Sequence, residues 1–289
     1  MNDHLIRILT TDGSLRATAA LTTELAEETR HRQQTDPTAT VAIGRVVTAA
    51  ALLGSLLKGA QRLALILEGN GPLRQLSAET DAHGNLRATL KEPIAGLPPK
   101  ADRFDVAGAI GRAGFLQVVK DLGLREPYRG MVQLVSSEVA EDLAWYLTHS
   151  EQVPSSVGLG VTLGPAAEVK AAGGFLVQAM PGCDEELLAR VEERIRLLPP
   201  VSTLLARGES PEQIVARLFD GIPYTVQLRT ELAYRCTCRR EQVRAMLATL
   251  DPGELEEMAS AGEEVTVTCE FCKEPYRFSP AEIGALTGS

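Results

Sequence analysis

The sequence predicts an α+β protein in three parts: a mixed, mainly antiparallel sheet domain with helices over residues 1–181, a helical linker over 182–230, and a small cysteine-bearing domain over 231–289. Three observations predict it. Short apolar runs up to Pro181 are joined by hairpin signals and interrupted by helices, without the regular strand–helix alternation of a parallel sheet. From Asp184 the composition turns to charged, helical sequence. In the last fifth of the chain, four of the five cysteines gather as Cys236-Thr-Cys238 and Cys269-Glu-Phe-Cys272.

His4–Thr10 and Ser14–Leu21 read as strands joined across Asp12-Gly13, a dipeptide that reaches the positive φ of a tight hairpin turn. Thr22–Gln34 follows as a polar helix with Thr23 as its cap. Asp36-Pro37 then starts a long apolar helix, with Asp at N-cap and Pro at N1, that ends near Gly59. Its Thr38–Leu57 portion is apolar enough to resemble a membrane span. Arg45 and the many Ala, Gly and Thr residues point instead to a helix buried in a soluble domain. Arg62–Glu68 is a short buried strand, and Leu73–Thr80 pairs with Asn85–Lys91 across Asp81–Gly84. Pro93–Lys100 is loop. Phe115–Lys120 and Gly130–Val135 are strands. Ser136–His149 is a helix capped by Ser136 or Ser137, with Trp145 in the core. Ser155–Thr162 and Val169–Gln178 give the last strand pair. Gly158–Gly160 and Gly173-Gly174 read as bends, with no phosphate-loop or dinucleotide pattern around them.

Asp184–Leu198 is an amphipathic helix with Leu187, Leu188, Val191, Ile195 and Leu198 along one side, stopping at Pro199-Pro200. A short piece, Val201–Arg207, precedes a helix signalled by Ser210 at N-cap, Pro211 at N1, Gln213 at N3 and Gly221 at its close. Such faces need a partner surface, so this segment is expected to pack on its neighbours. Tyr224–Tyr234 leads into the cysteines. Beyond them, Arg239–Leu250 and Gly253–Ala259 are helices, and Glu264–Thr268 and Tyr276–Phe278 are strands with the second cysteine pair at the knuckle between them. Ser279-Pro280 opens a final helix.

The chain has 289 residues and is 44% apolar, enough for a sizeable core, although aromatics make up 4% and Ala and Leu do most of the filling. A net charge of −9 argues against a general nucleic-acid binder, which needs a basic face to neutralise phosphates. Met1-Asn-Asp-His-Leu-Ile-Arg lacks the basic-then-apolar layout of a secretory signal, so the expected compartment is the cytoplasm. Clustered cysteines there serve as metal ligands or redox groups rather than structural disulfides. His4, His31, His83 and His149 are scattered without ligand spacing, and no enzyme activity is expected.

Two thiolates from each cysteine pair can close a tetrahedron around Zn²⁺. Residues 231–289 carry few large apolar side chains, and domains of that size need a metal or disulfide staple. Zinc supplies on the order of 10–16 kcal/mol in small finger peptides, against about 5–15 kcal/mol for a whole domain. The tail is therefore expected to fold around one Zn²⁺ per chain and to unfold without it. Thiolates at such a site are also nucleophilic toward peroxide or hypochlorous acid. Spacing alone leaves two readings open, a permanent structural knuckle and a thiol switch.

The runs YRCTCRREQVRAMLATLDPGELEEM at Tyr234–Met258 and VTCEFCKEPYRFS at Val267–Ser279 resemble the signature of the redox-regulated heat-shock chaperone family, also called the 33-kilodalton chaperonin. EGNGPL at Glu68–Leu73, GGFLVQAMPG at Gly173–Gly182 and the order of the parts fit the same family. The resemblance implies a cytoplasmic, ATP-independent holdase whose Zn²⁺ ligands are Cys236, Cys238, Cys269 and Cys272. It implies that the reduced, zinc-bound monomer is inactive. Oxidation with unfolding stress would then release zinc, pair Cys236–Cys238 and Cys269–Cys272, melt the linker and expose apolar surface that holds unfolding client proteins, with a homodimer as the active form. Leu187, Val191 and Ile195 are the residues expected in that surface, and neither nucleic acid nor membrane is an expected partner. A bridge across Cys-x-Cys is the more strained, so Cys269–Cys272 is expected to close first. Cys183 lies outside the pairs and is expected to be passive: a helix start lowers its pKa while Asp184 and Glu185 raise it.

Two other functions share the cysteine pattern. A dithiol oxidoreductase would place its pair at the start of a helix after a strand, whereas Cys269–Cys272 falls between two strands. A zinc-ribbon nucleic-acid module would use Arg235, Arg239, Arg240 and Arg244, but those cations also offset the formal charge of about −2 on four thiolates around Zn²⁺.

Overall fold

In the computed structural model, which describes residues 2–99 and 103–286, the chain divides after Arg235 into two units. The expected loop at Pro93–Lys100 is seen through Pro99, and Lys100 lies outside the described residues.

The first unit begins with the hairpin of β1 (His4–Thr10) and β2 (Leu15–Leu21), whose turn is held by Asp12 Oδ1 accepting from Ser14 N at 3.1 Å. Helix α1 (Thr23–Gln33) receives no side-chain cap from its own first turn. Asp3 supplies it from across the fold, its Oδ2 accepting from Leu25 N at 2.8 Å, while Thr23 Oγ1, the expected cap, bonds to Ala172. Helix α2 (Pro37–Gly54) starts as its sequence dictates, with Asp36 accepting from Ala39 N at 2.8 Å. It stops at Gly54 rather than Gly59. Leu56 N and Leu57 N turn back to Leu53 O and Gly54 O, the tight i to i+3 bonds that close a helix end.

Strands β3 (Arg62–Gly69), β4 (Gln75–Asp81) and β5 (Asn85–Leu90), the short helix α3 (Val106–Ile110), and strands β6 (Gly114–Asp121) and β7 (Tyr128–Gln133) come next. Helix α4 (Val139–His149) is not capped by Ser136 or Ser137. Its N-cap residue is Glu138, and Asp142 Oδ1 instead accepts from Val135 N and Ser136 N. Trp145, expected in the core, is 41% exposed and stacks on His149; the buried aromatic is its neighbour Tyr146. The face that packs inward is Val139, Leu143, Tyr146 and Leu147, a 3.6-residue stripe that leaves position 145 outside. Strands β8 (Ser155–Leu163) and β9 (Val169–Ala179) follow.

Helices α5 (Glu185–Leu197), α6 (Val201–Ala206) and α7 (Pro211–Leu218) then cross the first unit, before β10 (Tyr224–Glu231) pairs antiparallel with β1 and β11 (Ala233–Tyr234) pairs parallel with β5. The resulting sheets run β10-β1-β2-β9-β8 and β11-β5-β4-β3-β6-β7. Helix α2 lies between them, against β3, β4 and β5 on one side and β2, β8 and β9 on the other, and 89% of it is buried. It is long and apolar enough to cross a membrane, but its apolar surface is spent on this core. The opposite face of the five-stranded sheet forms a second core with α5, α6 and α7. The glycines read as bends lie within β8 and β9: a Cβ on Gly160 would strike Ser202 in α6, and one on Gly173 would strike Leu205. Their role is close approach between helix and sheet.

The second unit contains α8 (Arg240–Leu247), α9 (Pro252–Ser260), the hairpin β12 (Val265–Thr268) and β13 (Pro275–Phe278), and α10 (Pro280–Gly284). Ser279 and Glu282 form the capping box that opens α10. Its core consists of Val243, Leu247, Leu255, Phe278, Ile283 and Leu286, with a few half-buried neighbours.

Candidate metal centre

The second cysteine pair is presented by a hairpin knuckle. Strands β12 and β13 run in register from Val265↔Phe278 to Thr268↔Pro275, and the chain turns between them through Cys269–Cys272. Lys273, at φ 60, closes the turn, its N–H donating to Cys269 O at 2.9 Å while Cys269 N donates to Glu274 O at 3.0 Å. The first pair, Cys236 and Cys238, lies on irregular chain just before α8. Two local structures thus deliver two thiols each.

All four Sγ atoms lie within 4.8 Å of one another, and among the described residues this is the one cluster of three or more metal-capable side chains. Cys236 Sγ is 3.8 Å from Cys269 Sγ, and Cys238 Sγ is 3.3 Å from Cys272 Sγ. A tetrahedral ion with metal–sulfur bonds of about 2.3 Å requires sulfur–sulfur edges of about 3.8 Å. The cluster has the size and the donor set for one such ion.

The surroundings supply the next layer. Tyr276 Oη donates to Cys238 Sγ at 3.1 Å, which raises the tyrosine pKa. Arg240 donates to Arg277 O at 2.6 Å and to Glu282 Oε1 at 2.7 Å, and lies 4.3 Å over the Phe278 ring. One of the four clustered arginines is therefore committed to holding α8 against β13 and α10. Burial pushes the Cys272 thiol up to about 12 and also raises Cys238. Four thiolates packed this closely need a cation, so metal binding and loss of the thiol protons belong to one equilibrium.

The other candidates fall elsewhere. Val191 is fully buried in the second core of the first unit, with Leu187 and Ile195 half-buried around it, so the amphipathic face of α5 is docked. Cys183 is half-buried beside the same core, its thiol raised by burial and its Sγ 3.5 Å from Asp184 O. His4 faces Glu212 at 3.3 Å and His149 stacks on Trp145, and neither belongs to the four-cysteine cluster. Sequence reasoning missed Tyr276 as a sulfur partner; its place opposite Val267, two residues before Cys269, was the available signal.

The family model described as Hsp33 protein matches residues 3–279. The chain is 61% identical over 286 residues to the 33 kDa chaperonin of Syntrophotalea carbinolica, covering 99% of each chain. It is 47% identical over 289 residues to the 33 kDa chaperonin of Geobacter sulfurreducens, covering 100% of this chain and 96% of that one. A solved crystal structure, the 33 kDa chaperonin (heat shock protein 33 homolog) of Thermotoga maritima, superposes with a TM-score of 0.92 at 36% identity, over 99% of this chain and 98% of that chain. With a family match across nearly its whole length and a shared fold that includes the four-cysteine unit, the chain belongs to the Hsp33 family of chaperones.

Proposed function

We propose that this chain is a redox-regulated, ATP-independent holdase of the cytoplasm, with no enzymatic activity of its own. The observation that carries this reading is the placement of four thiols within 4.8 Å in a unit whose own apolar core is six buried side chains. At rest, Cys236, Cys238, Cys269 and Cys272 hold one Zn²⁺ as thiolates, and the ion staples the second unit. Peroxide or hypochlorous acid takes four electrons from the four sulfurs. Two disulfides form, Cys236–Cys238 and Cys269–Cys272, each with reduction of one oxidant molecule, and the ligands of the metal are gone.

Residues 236–289 then lack their staple and lose order, and the segment 182–230 loosens with them. The face of α5 bearing Leu187, Val191 and Ile195 leaves its core and becomes apolar surface for unfolding client proteins. The working form is a homodimer, and neither nucleic acid nor membrane is among its partners.

The test is light scattering of an unfolding client with reduced and peroxide-treated protein, while a chromogenic chelator follows zinc release. Suppression of aggregation by the oxidised form alone, in step with release of one zinc per chain, is the expected result. Equal suppression in both states would leave a chaperone without this switch.

A further inference from the structure

The six-stranded sheet ends on its shortest strand, β11, two residues paired along the β5 edge just before Cys236. Ala233 N donates to Gly84 O at 3.0 Å and Arg235 N donates to Leu86 O at 2.8 Å, while Leu232 N is tied to Asp3 O at 3.0 Å. The next edge carbonyl, Ala88 O, accepts from the side chain of Gln33 at 3.2 Å. Side chains alternate along this stretch. Leu232 is 7% exposed in the main core, and Tyr234 packs on that core beneath the Arg32 guanidinium, 4.9 Å from its ring; Ala233 and Arg235 face outward. Gly84, at φ 81, has no Cβ to meet Glu231 O, which is what lets the stretch lie this close.

An open strand edge attracts other chains, and folds cover it when it is not in use. The cover here is held by backbone bonds that any extended chain can make and by two apolar side chains at alternate positions. It is continuous with the first cysteine. We propose that Leu232–Arg235 is a displaceable plug, and that the β5 edge beneath it docks an extended segment of an unfolding protein carrying large apolar side chains at alternate positions. The occupant is specified by the plug itself: a Leu and a Tyr two apart, in a parallel register with Asn85 and Leu86. Backbone pairing is indifferent to most of the sequence, so one edge serves many clients. The plug's release by oxidation rests on the redox reading above, since disorder beginning at Cys236 removes its C-terminal tether.

Ala233→Pro deletes the donor to Gly84 O and leaves every cysteine in place. The probe is reduced, carboxymethylated α-lactalbumin, a permanently unfolded chain, and residue-resolved amide exchange is the second readout. Because the carbonyls of Gly84, Leu86 and Ala88 face the edge, the amides of Leu86 and Ala88 share that side, and those of Arg87 and Thr89 face β4. The reduced, metal-loaded variant is expected to bind the probe at least about tenfold more tightly than the reduced wild type. Leu86 N is already paired with Ala233 O while the plug is seated, so probe binding is expected to keep Leu86 protected and to add protection at Ala88, in the variant and in oxidised wild type, with Arg87 and Thr89 protected throughout. A folded variant that gains no probe binding overturns the proposal. So does an oxidised wild type that binds the probe while Leu86 and Ala88 exchange freely, and that outcome leaves the redox holdase intact. Protection of both amides in the variant, with an inactive oxidised wild type, keeps the dock and removes the redox reading. Should the proline variant fail to fold, exchange in the oxidised wild type decides alone.

Discussion

The two units reach order by opposite means. In the first, helix α2 is 89% buried between two sheets, and a second core lies beneath α5, α6 and α7. Order there is spread over many buried apolar side chains, the larger of them worth about 1.5–3 kcal/mol each. In the second, six buried apolar side chains share the task with four sulfurs. Order is concentrated in a handful of atoms, and those atoms are chemically reactive. On the proposed reading, a change at four sulfurs would abolish one unit and leave the other standing, an asymmetry that a uniform core would not provide.

The largest expected effect is metal removal. Chelation under strong reductant is expected to cost the second unit on the order of 10 kcal/mol, so that in hydrogen exchange read by mass spectrometry its peptides exchange as unfolded chain while α2 stays protected. Undiminished protection of residues 236–286 in metal-free protein would break the comparison outright. The reverse experiment is Leu52→Ala, which removes a fully buried side chain of α2 and is expected to cost the first unit about 2–5 kcal/mol. Metal content by atomic emission should stay at one ion per chain; a parallel loss of metal would show that the units are not independent.

Val191→Ala probes the docking of α5. It is expected to cost about 1–3 kcal/mol and to raise binding of an apolar dye to the reduced protein, whereas unchanged dye binding would mean that the α5 face is held by other contacts. The smallest effect concerns Asp3, whose carboxyl is raised to about 6 by burial, against its backbone bonds to the start of α1, and whose Oδ1 has no hydrogen-bond partner among the described residues. The folded chain holds this proton more tightly than the unfolded one. Its stabilising contribution is thus complete below the ordinary carboxylate value near 4, falls as pH rises through about 6, and leaves an ionised, strained carboxylate at neutral pH. Asp3→Asn keeps the acceptor for Leu25 N and removes the titration, so paired melts are expected to show a gain of about 1–2 kcal/mol at pH 7.5 that disappears by about pH 4. A gain independent of pH would place its cause outside that carboxyl.

Much of this architecture was written locally. Asp36-Pro37, the Ser210/Gln213 capping box and the Asp12-Gly13 turn each specify a structure within a few residues, and each forms as read. The cysteine pairs behave likewise, since two short spacings suffice to bring four sulfurs to one place once the knuckle folds. Where reading failed, the partner was remote. The cap of α1 comes from Asp3 rather than from Thr23, and the helix start at Ser136 is organised by Asp142. Trp145, expected in the core, is excluded by the stripe through Val139, Leu143 and Tyr146. The Gly160 and Gly173 positions resembled bends because the helix that presses on them, α6, lies far along the chain.

The sequence by itself determined most of the strand and helix inventory (α3, β10 and β11 apart), the α+β class, the four-sulfur cluster and the amphipathic segment that follows Asp184, because periodicity, caps and close spacing act over less than a turn or a hairpin. Tertiary structure alone decided that this segment would also furnish a strand to each sheet, β10 beside β1 and β11 beside β5. Strand pairing is made of backbone bonds, which carry almost no side-chain signature, so which edge a strand joins is settled only when the whole core has chosen its layers.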